Sequence, residues 1–326
     1  MDTKSRYHFS YGQSGREEVK QLCNQLQSLY RLMLLVNAEL AKHLTGCTII
    51  QLLCKRSYII NTKTSNYHTS MRIISYNLNG IRAAIKKGFV EWLATNPADI
   101  ICIQETKAHK EDIDVKLFEA LGYHSYTFSA QKKGYSGVAI FTKIAPDNIV
   151  YGTGIEQSDF EGRVIRADFG DLTLVNAYFP SGTSGDERQT YKYQWLAEFD
   201  EHLAELRKSR PKLIVTGDYN IAHKPIDIHD PKGNKNSSGF LPEERAWMDQ
   251  FLAKDWVDSF RVIHPDKPHC YSWWSQRFPS VRLQNKGWRI DYISVTSNLK
   301  DRIVDADIYP DVKHSDHCPI YLELKG

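Results

Sequence analysis

The chain has 326 residues, 41% hydrophobic and 25% charged, which is long and apolar enough for a large core and excludes a disordered or fibrous protein. Net charge is only +3, and residues 1–70 hold nine Lys/Arg against four Asp/Glu, a local +5 that leaves −2 for residues 71–326. Binding of a polyanion through bulk charge is thereby excluded, so a nucleic-acid partner has to be met by a local basic surface and a bound cation.

In chain order, residues 1–70 read as an appendage. Residues 17–40 place Val19, Leu22, Leu26, Leu29, Met33 and Leu34 at helical spacing. Residues 48–53 form a short apolar run, and 56–70 a polar linker rich in Ser, Thr and Asn. The segment is either a tail or an upstream addition to a chain whose folded part starts at Met71. Asp2, Glu17 and Glu18 speak against a mitochondrial-type presequence.

From Met71 strands alternate with helices. Strands are predicted over 72–76, 100–103, 137–142, 163–169, 172–179, 213–216, 289–296 and 319–324, and helices over 89–94, 187–208 and 243–253. The long helix is amphipathic, with Tyr191, Trp195, Phe199, Leu203 and Leu206 recurring every three or four residues. One domain over 71–326 is the simplest account.

The six cysteines, Cys23, Cys47, Cys54, Cys102, Cys270 and Cys318, show neither CxxC spacing nor a disulfide framework. That pattern points to a reducing compartment, and the expectation is a cytoplasmic protein. No run of 18 apolar residues predicts a membrane span, and the polar first residues do not read as a secretory signal. Nothing in the chain announces an obligate protein partner, so a monomer is expected.

Strand after strand ends in a polar residue: Asn77, Glu105, Tyr178, Asp218 with Asn220, Asp291, and Asp316 with His317. Strand ends on one edge of a layered sheet converge, and sites are built there. Phosphodiester hydrolysis needs a cation for the phosphate charge, a base for water and donors for the developing oxyanions. Carboxylate and amide oxygens favour a hard ion such as Mg²⁺, with Mn²⁺ able to substitute, over zinc.

The ordered motifs SYNLNG, IQET, NAYFPSG, GDYN, GWRIDY and SDHCPI resemble the exonuclease III family of apurinic/apyrimidinic (AP) endonucleases, of bacterial type, across essentially all of residues 71–326. The resemblance implies an α/β fold: a four-layered sandwich with two packed β-sheets, of the DNase I type. It implies a metal-dependent hydrolase of DNA repair, cutting 5′ to abasic sites in duplex DNA and processing 3′ ends.

Site roles follow from the same resemblance. Glu105 is the expected main metal ligand, with Asn77, Asp218, Asn220, Asp316 and His317 as further metal-site residues. Asn79 lies beside the metal and towards the DNA. Asp218 and Asn220 position water and phosphate, Tyr178 meets the phosphate or leaving group, and Asp291 fixes the tautomer of His317. Base duty stays open between Asp218 and the Asp291–His317 pair. For DNA, Trp273 and Trp288 would wall a slot for an extruded baseless sugar, which is cheap to flip because it has lost its stacking. Trp273 and Trp274, adjacent in the chain, are each equally well placed as core. Arg277, Arg282, Lys286 and Arg289 stand near these aromatics, and Lys132, Lys133 and Tyr135 in a loop towards the backbone. One departure stands out: Ser181 occupies the place of an Asn in some relatives, and a hydroxyl lacks an amide's paired geometry for phosphate.

Two other readings compete. One is a phosphatase of the same superfamily acting on a non-DNA phosphoester, against which the aromatic and basic stretch 271–288 argues. The other is a DNA-binding protein without turnover, against which the complete set of polar site residues argues.

Overall fold

The computed structural model describes residues 70–278 and 280–326. The expected appendage, apart from Ser70, lies outside the described residues.

Among the described residues, twelve strands form two six-stranded sheets, ordered β11-β12-β1-β2-β4-β3 and β5-β6-β7-β8-β10-β9. The first contains β1 (Ser70–Asn77), β2 (Ile100–Gln104), β3 (His124–Phe128), β4 (Val138–Thr142), β11 (Ile303–Ile308) and β12 (Ile320–Lys325). The second contains β5 (Asn148–Tyr151), β6 (Val164–Phe169), β7 (Leu172–Tyr178), β8 (Lys212–Asp218), β9 (Trp256–Asp258) and β10 (Asp291–Thr296). The sheets pack face to face over Ile73, Ile100, Val138, Ile140, Ile165, Leu174, Ile214, Ile293 and Leu322, all buried.

Helices cover the outer faces and complete four layers. On the first sheet lie α1 (Ile81–Lys86) and α2 (Phe89–Thr95), burying Ile81, Phe89 and Leu93. On the second lie α3 (Asp186–Ser209) and α4 (Pro242–Ala253). Gly185, which precedes α3, offers no side-chain cap, so packing rather than capping holds this helix. Trp195, Leu196, Phe199 and Leu203 are each 1% exposed, and each such side chain contributes about 1.5–3 kcal/mol on leaving water.

Each sheet has one parallel pair at its centre, β1 with β2 and β7 with β8. Parallel neighbours need a crossover, supplied by α1–α2 in the first sheet and α3 in the second. The two units therefore end on the same edge of the sandwich, where Asn77 stands opposite Gln104 and Tyr178 opposite Asp218. The antiparallel strand β10 starts there, pairing Asp291 with Asp218, and β12 enters just after His317.

Candidate active site

Beneath that edge a buried polar layer pins the sheets together. Gln104 Nε2 donates to Asn176 Oδ1 (2.7 Å) and Ser75 Oγ (3.0 Å), and Asn176 Nδ2 donates to the carbonyls of Ile103 (3.0 Å) and Ala139 (2.9 Å). Polar groups this deep require such partners.

Above it the chain bends sharply. Asn79, Glu105 and Asn220 all adopt positive φ, at 47°, 50° and 54°. For Asn this is tolerated, but for Glu it is strained, at roughly 1–2 kcal/mol. Backbone hydrogen bonds hold the bend: Leu78 N to Gln104 O (3.0 Å), Gly80 N to Glu105 O (2.8 Å) and Thr106 N to Gly137 O (3.0 Å). Gly217 has φ 142°, and a Cβ there would sit 1.8 Å from Ala177 O, so only glycine lets β8 approach β7 this closely.

Asn77 comes from one sheet and reaches the other. Its Nδ2 donates to Glu105 Oε1 and Asp218 Oδ2, both 2.9 Å away, while its Oδ1 accepts from Asn79 N at 2.9 Å. The amide oxygen is thus spent on the turn, and the NH₂ group holds two carboxylates in place. Lys107 Nζ lies 2.7 Å from Glu105 Oε2 and also donates to Asn79 Oδ1. Asn79 Nδ2 donates to Asp316 Oδ1 (2.9 Å), and Trp273 Nε1 to Asp316 Oδ2 (3.1 Å).

The second half of the cluster is a proton pair. His317 Nδ1 lies 2.9 Å from Asp291 Oδ2, and His317 Nε2 lies 3.8 Å from Asp218 Oδ2. Burial opposes the imidazolium, but Asp291 and then Asp218 outweigh it and raise the His317 pKa to about 10. Burial also raises Asp218, to about 7; His317 opposes that rise, while Asp291 and Glu105 add to it. Asp316 is held below its usual range despite burial, by the charge of His317 and by hydrogen bonds from Asn79, Trp273 and Ser315. Asn220 caps Asp218, its N donating to Oδ1 (2.8 Å) and its Nδ2 to Oδ2 (3.2 Å).

Four carboxyl groups, those of Glu105, Asp218, Asp291 and Asp316, thus face two basic side chains, Lys107 and His317. One divalent cation matches the difference. Ligand atoms of Glu105, Asp218 and His317 lie within 4.8 Å of one another. Asn79 stands beside this group, its Nδ2 bonded to Asp316 and its Oδ1 to the Lys107 ammonium. That donor set suits a hard ion.

Tyr178 lines the same cleft. Burial, then the charge of Glu105, raises its pKa well above 10, so its hydroxyl stays protonated. The Arg163 guanidinium lies 4.8 Å from the centre of its ring, and Arg163 Nη1 donates to its carbonyl (2.8 Å). The cleft has a volume of about 820 Å³. Its lining combines the apolar Trp288, Trp273, Ile290 and Leu241 with hydroxyls, Ser181 among them. Trp273 and Trp288 meet edge to face at 5.9 Å and 86°.

Other expected residues lie elsewhere. Lys132 and Tyr135 are outside the cleft lining, and the Tyr135 hydroxyl is held by Arg188 (2.9 Å) and Arg163 (3.3 Å). Trp274 is core, 2% exposed, with Arg282 stacked 4.4 Å from its ring centre. Two arginines grouped with the aromatics expected to meet DNA prove structural. Arg289 is 1% exposed between Asp227 and Asp258, each 2.8 Å away. Arg282 binds the carbonyls of Ser315 (2.8 Å) and Val312 (2.7 Å). Their partners lie far off in sequence or on the main chain, so charge clustering alone misplaced them. Sequence reasoning also missed Lys107, Arg163 and Lys192. Lys107, two residues past Glu105, was within reach of a search for a counter-charge.

Residues 74–317 match the Endonuclease/Exonuclease/phosphatase family. The chain is 44% identical over 253 residues to an exodeoxyribonuclease of Bacillus subtilis, covering 77% of this chain and 98% of that protein. It is 40% identical over 257 residues to the DNA repair nuclease APEX1 of Danio rerio, covering 78% and 82%. A solved AP endonuclease from Archaeoglobus fulgidus superposes with a TM-score of 0.71 at 31% identity, covering 77% of this chain and 98% of that one.

Proposed function

We propose that this chain, which belongs to the endonuclease/exonuclease/phosphatase family and is a nuclease, is a DNA repair phosphodiesterase. It cuts duplex DNA 5′ to abasic sites and processes 3′ ends. What supports this reading is the meeting, at one cleft, of the Asp291–His317–Asp218 array with the Glu105 and Asp316 carboxylates and with Trp273 and Trp288.

Glu105 and Asp316, with Asn79 beside them, would hold Mg²⁺, and Asn77 fixes the Glu105 carboxylate that would meet it. The ion would supply positive charge against the phosphate oxygens. Asp218, raised to about 7, is the base for the attacking water, because a general base works best with a pKa near the operating pH. His317 stays protonated through neutral pH and donates to a phosphate oxygen rather than accepting a proton. Asn220 and the un-ionised Tyr178 hydroxyl supply further donors. Trp273 and Trp288 close on an extruded baseless sugar, and the apolar slot excludes an intact nucleotide by size. Ser181 reaches the phosphate from the rim, while Lys132 and Tyr135 flank the backbone outside the cleft. The proposed place of action is the cytoplasm, supported by the cysteines among the described residues, Cys102, Cys270 and Cys318, which are all free, and by the bacterial relative above. Among the described residues no helix is long and apolar enough to cross a membrane.

The test is Glu105→Ala. Incision of an abasic duplex in Mg²⁺ falls by at least about 10³-fold, roughly 4 kcal/mol, while the duplex is still bound. Unchanged incision would remove Glu105 from the cation site.

A further inference from the structure

Two walls of the cleft meet on one buried ion pair that the chemistry above does not use. Lys192 of α3 and Glu244 of α4 are both 0% exposed, with Nζ 2.5 Å from Oε1. Lys192 Nζ also donates to the carbonyl of Asn220 at 2.8 Å. Glu244 Oε2 accepts from Gly239 N (2.6 Å) and Leu241 N (3.0 Å). Gln189 extends the network, donating to Glu244 Oε1 (3.1 Å) and accepting from Ser238 Oγ (2.7 Å).

One end of this network is the phosphate end of the cleft, because Asn220 caps Asp218. The other end is the slot. Gly239 has φ 94°, and a Cβ there would lie 3.0 Å from Trp288 Cζ3 and 3.1 Å from Asn220 O. Ala222 N donates to Gly239 O at 2.7 Å, so the two loops are also tied backbone to backbone. A buried ion pair is a poor source of stability, since a neutral pair of similar size often serves as well. Here both charges are aimed at main-chain groups of the two walls.

We propose that Lys192 and Glu244 are positioning residues, which lock Asn220 and the Ser238–Leu241 wall into one unit and so set the span between phosphate and slot. The inference rests on the nuclease reading of the cleft. A span set wrongly by even an ångström lowers the rate at the reacting phosphate far more than it weakens grip on the duplex.

The test is the double variant K192M/E244Q, which removes both charges together and so leaves no buried charge unpaired. The amide that replaces the Glu244 carboxylate still offers an oxygen to Gly239 and Leu241, but Asn220 loses its donor. With folding verified by thermal melting, kcat for abasic-site incision falls at least tenfold while KM stays within about threefold. A folded variant whose kcat is less than tenfold lower, or whose KM carries the change, overturns the proposal. If the double variant does not fold, Glu244→Gln alone is read by the same criteria. If the wild-type protein is silent on abasic and 3′-end substrates alike, the nuclease reading fails. A crystal structure of the variant then decides: Asn220 and Gly239 displaced together upholds the positioning role, and both unmoved overturns it.

Discussion

Replacing Asp291 by Asn keeps the side chain's shape and removes the charge on which His317 depends. The imidazole Nδ1 lies 2.9 Å from one Asp291 oxygen and 3.2 Å from the other, and both side chains are almost wholly buried. Burial alone would drive the imidazole neutral; Asp291 is the largest influence against it, ahead of Asp218. A pKa held at about 10 instead of 6.5 corresponds to roughly 4–5 kcal/mol in favour of the imidazolium. Asp291 accounts for about half of that or more, so the variant loses about 2–3 kcal/mol of support for the protonated form. It also loses the acceptor that fixes the tautomer. The rate constant for incision therefore falls only about twofold at pH 8 and about tenfold at pH 9, where the imidazolium is largely lost.

The pH dependence separates this account from a merely structural one. In the wild type the imidazolium persists through neutral pH and is lost only as pH rises through about 10. In the variant that loss moves down towards 6.5, so the defect is small at pH 6 and grows steadily to pH 9. A divalent ion in the site lowers both values without changing their order. The assay is single-turnover incision of an abasic duplex at saturating Mg²⁺ from pH 6 to 9. A defect of constant size over that range, or one below threefold at pH 9, would refute the role assigned to His317.

Two further outcomes follow from the same geometry. Asp218→Asn abolishes incision yet stabilises the fold. The folded carboxyl titrates near 7 rather than 3.8, so between those values the folded protein holds a proton that the unfolded chain has released, and stability falls as pH rises through that window. The variant's gain is full above pH 7, about 1–3 kcal/mol or roughly 3–8 °C in Tm, and vanishes near pH 4; calorimetry showing a lower Tm at pH 8 contradicts it. Trp288→Ala opens the slot and lowers kcat/KM on an abasic duplex by roughly 10–100-fold, while removal of a 3′-phosphate changes less than threefold; equal losses on both substrates count against a lesion slot at Trp288.

Eight of the twelve strands were legible from the sequence, and the four that were not are β3, β5, β9 and β11. These are the four edges of the two sheets. An edge strand has one neighbour and a wet face, so it has no need of an apolar run. β11 reads Ile-Val-Asp-Ala-Asp-Ile and β3 His-Ser-Tyr-Thr-Phe, and β9 has only three residues. Central strands such as β2 and β4 are buried at every position and announce themselves. At the site, residues in compact motifs were named correctly as neighbours: Asp291 with His317, and Asp218 with Asn220. What sequence could not supply was the direction of each polar group. Asn77 turns its NH₂ group, not its oxygen, towards the carboxylates, and Arg289 points into the core at Asp227 and Asp258. Such choices are made by partners tens to hundreds of residues away, which no local pattern records.

The most direct measurement is cleavage of an end-labelled duplex carrying one abasic-site analogue, in Mg²⁺ and in EDTA, beside an intact duplex and one ending in a 3′-phosphate. The expected result is incision immediately 5′ to the lesion in Mg²⁺, none in EDTA, no internal cut in the intact duplex, and release of the terminal phosphate. Incision that persists in EDTA, or no reaction on any of the three substrates, would contradict it.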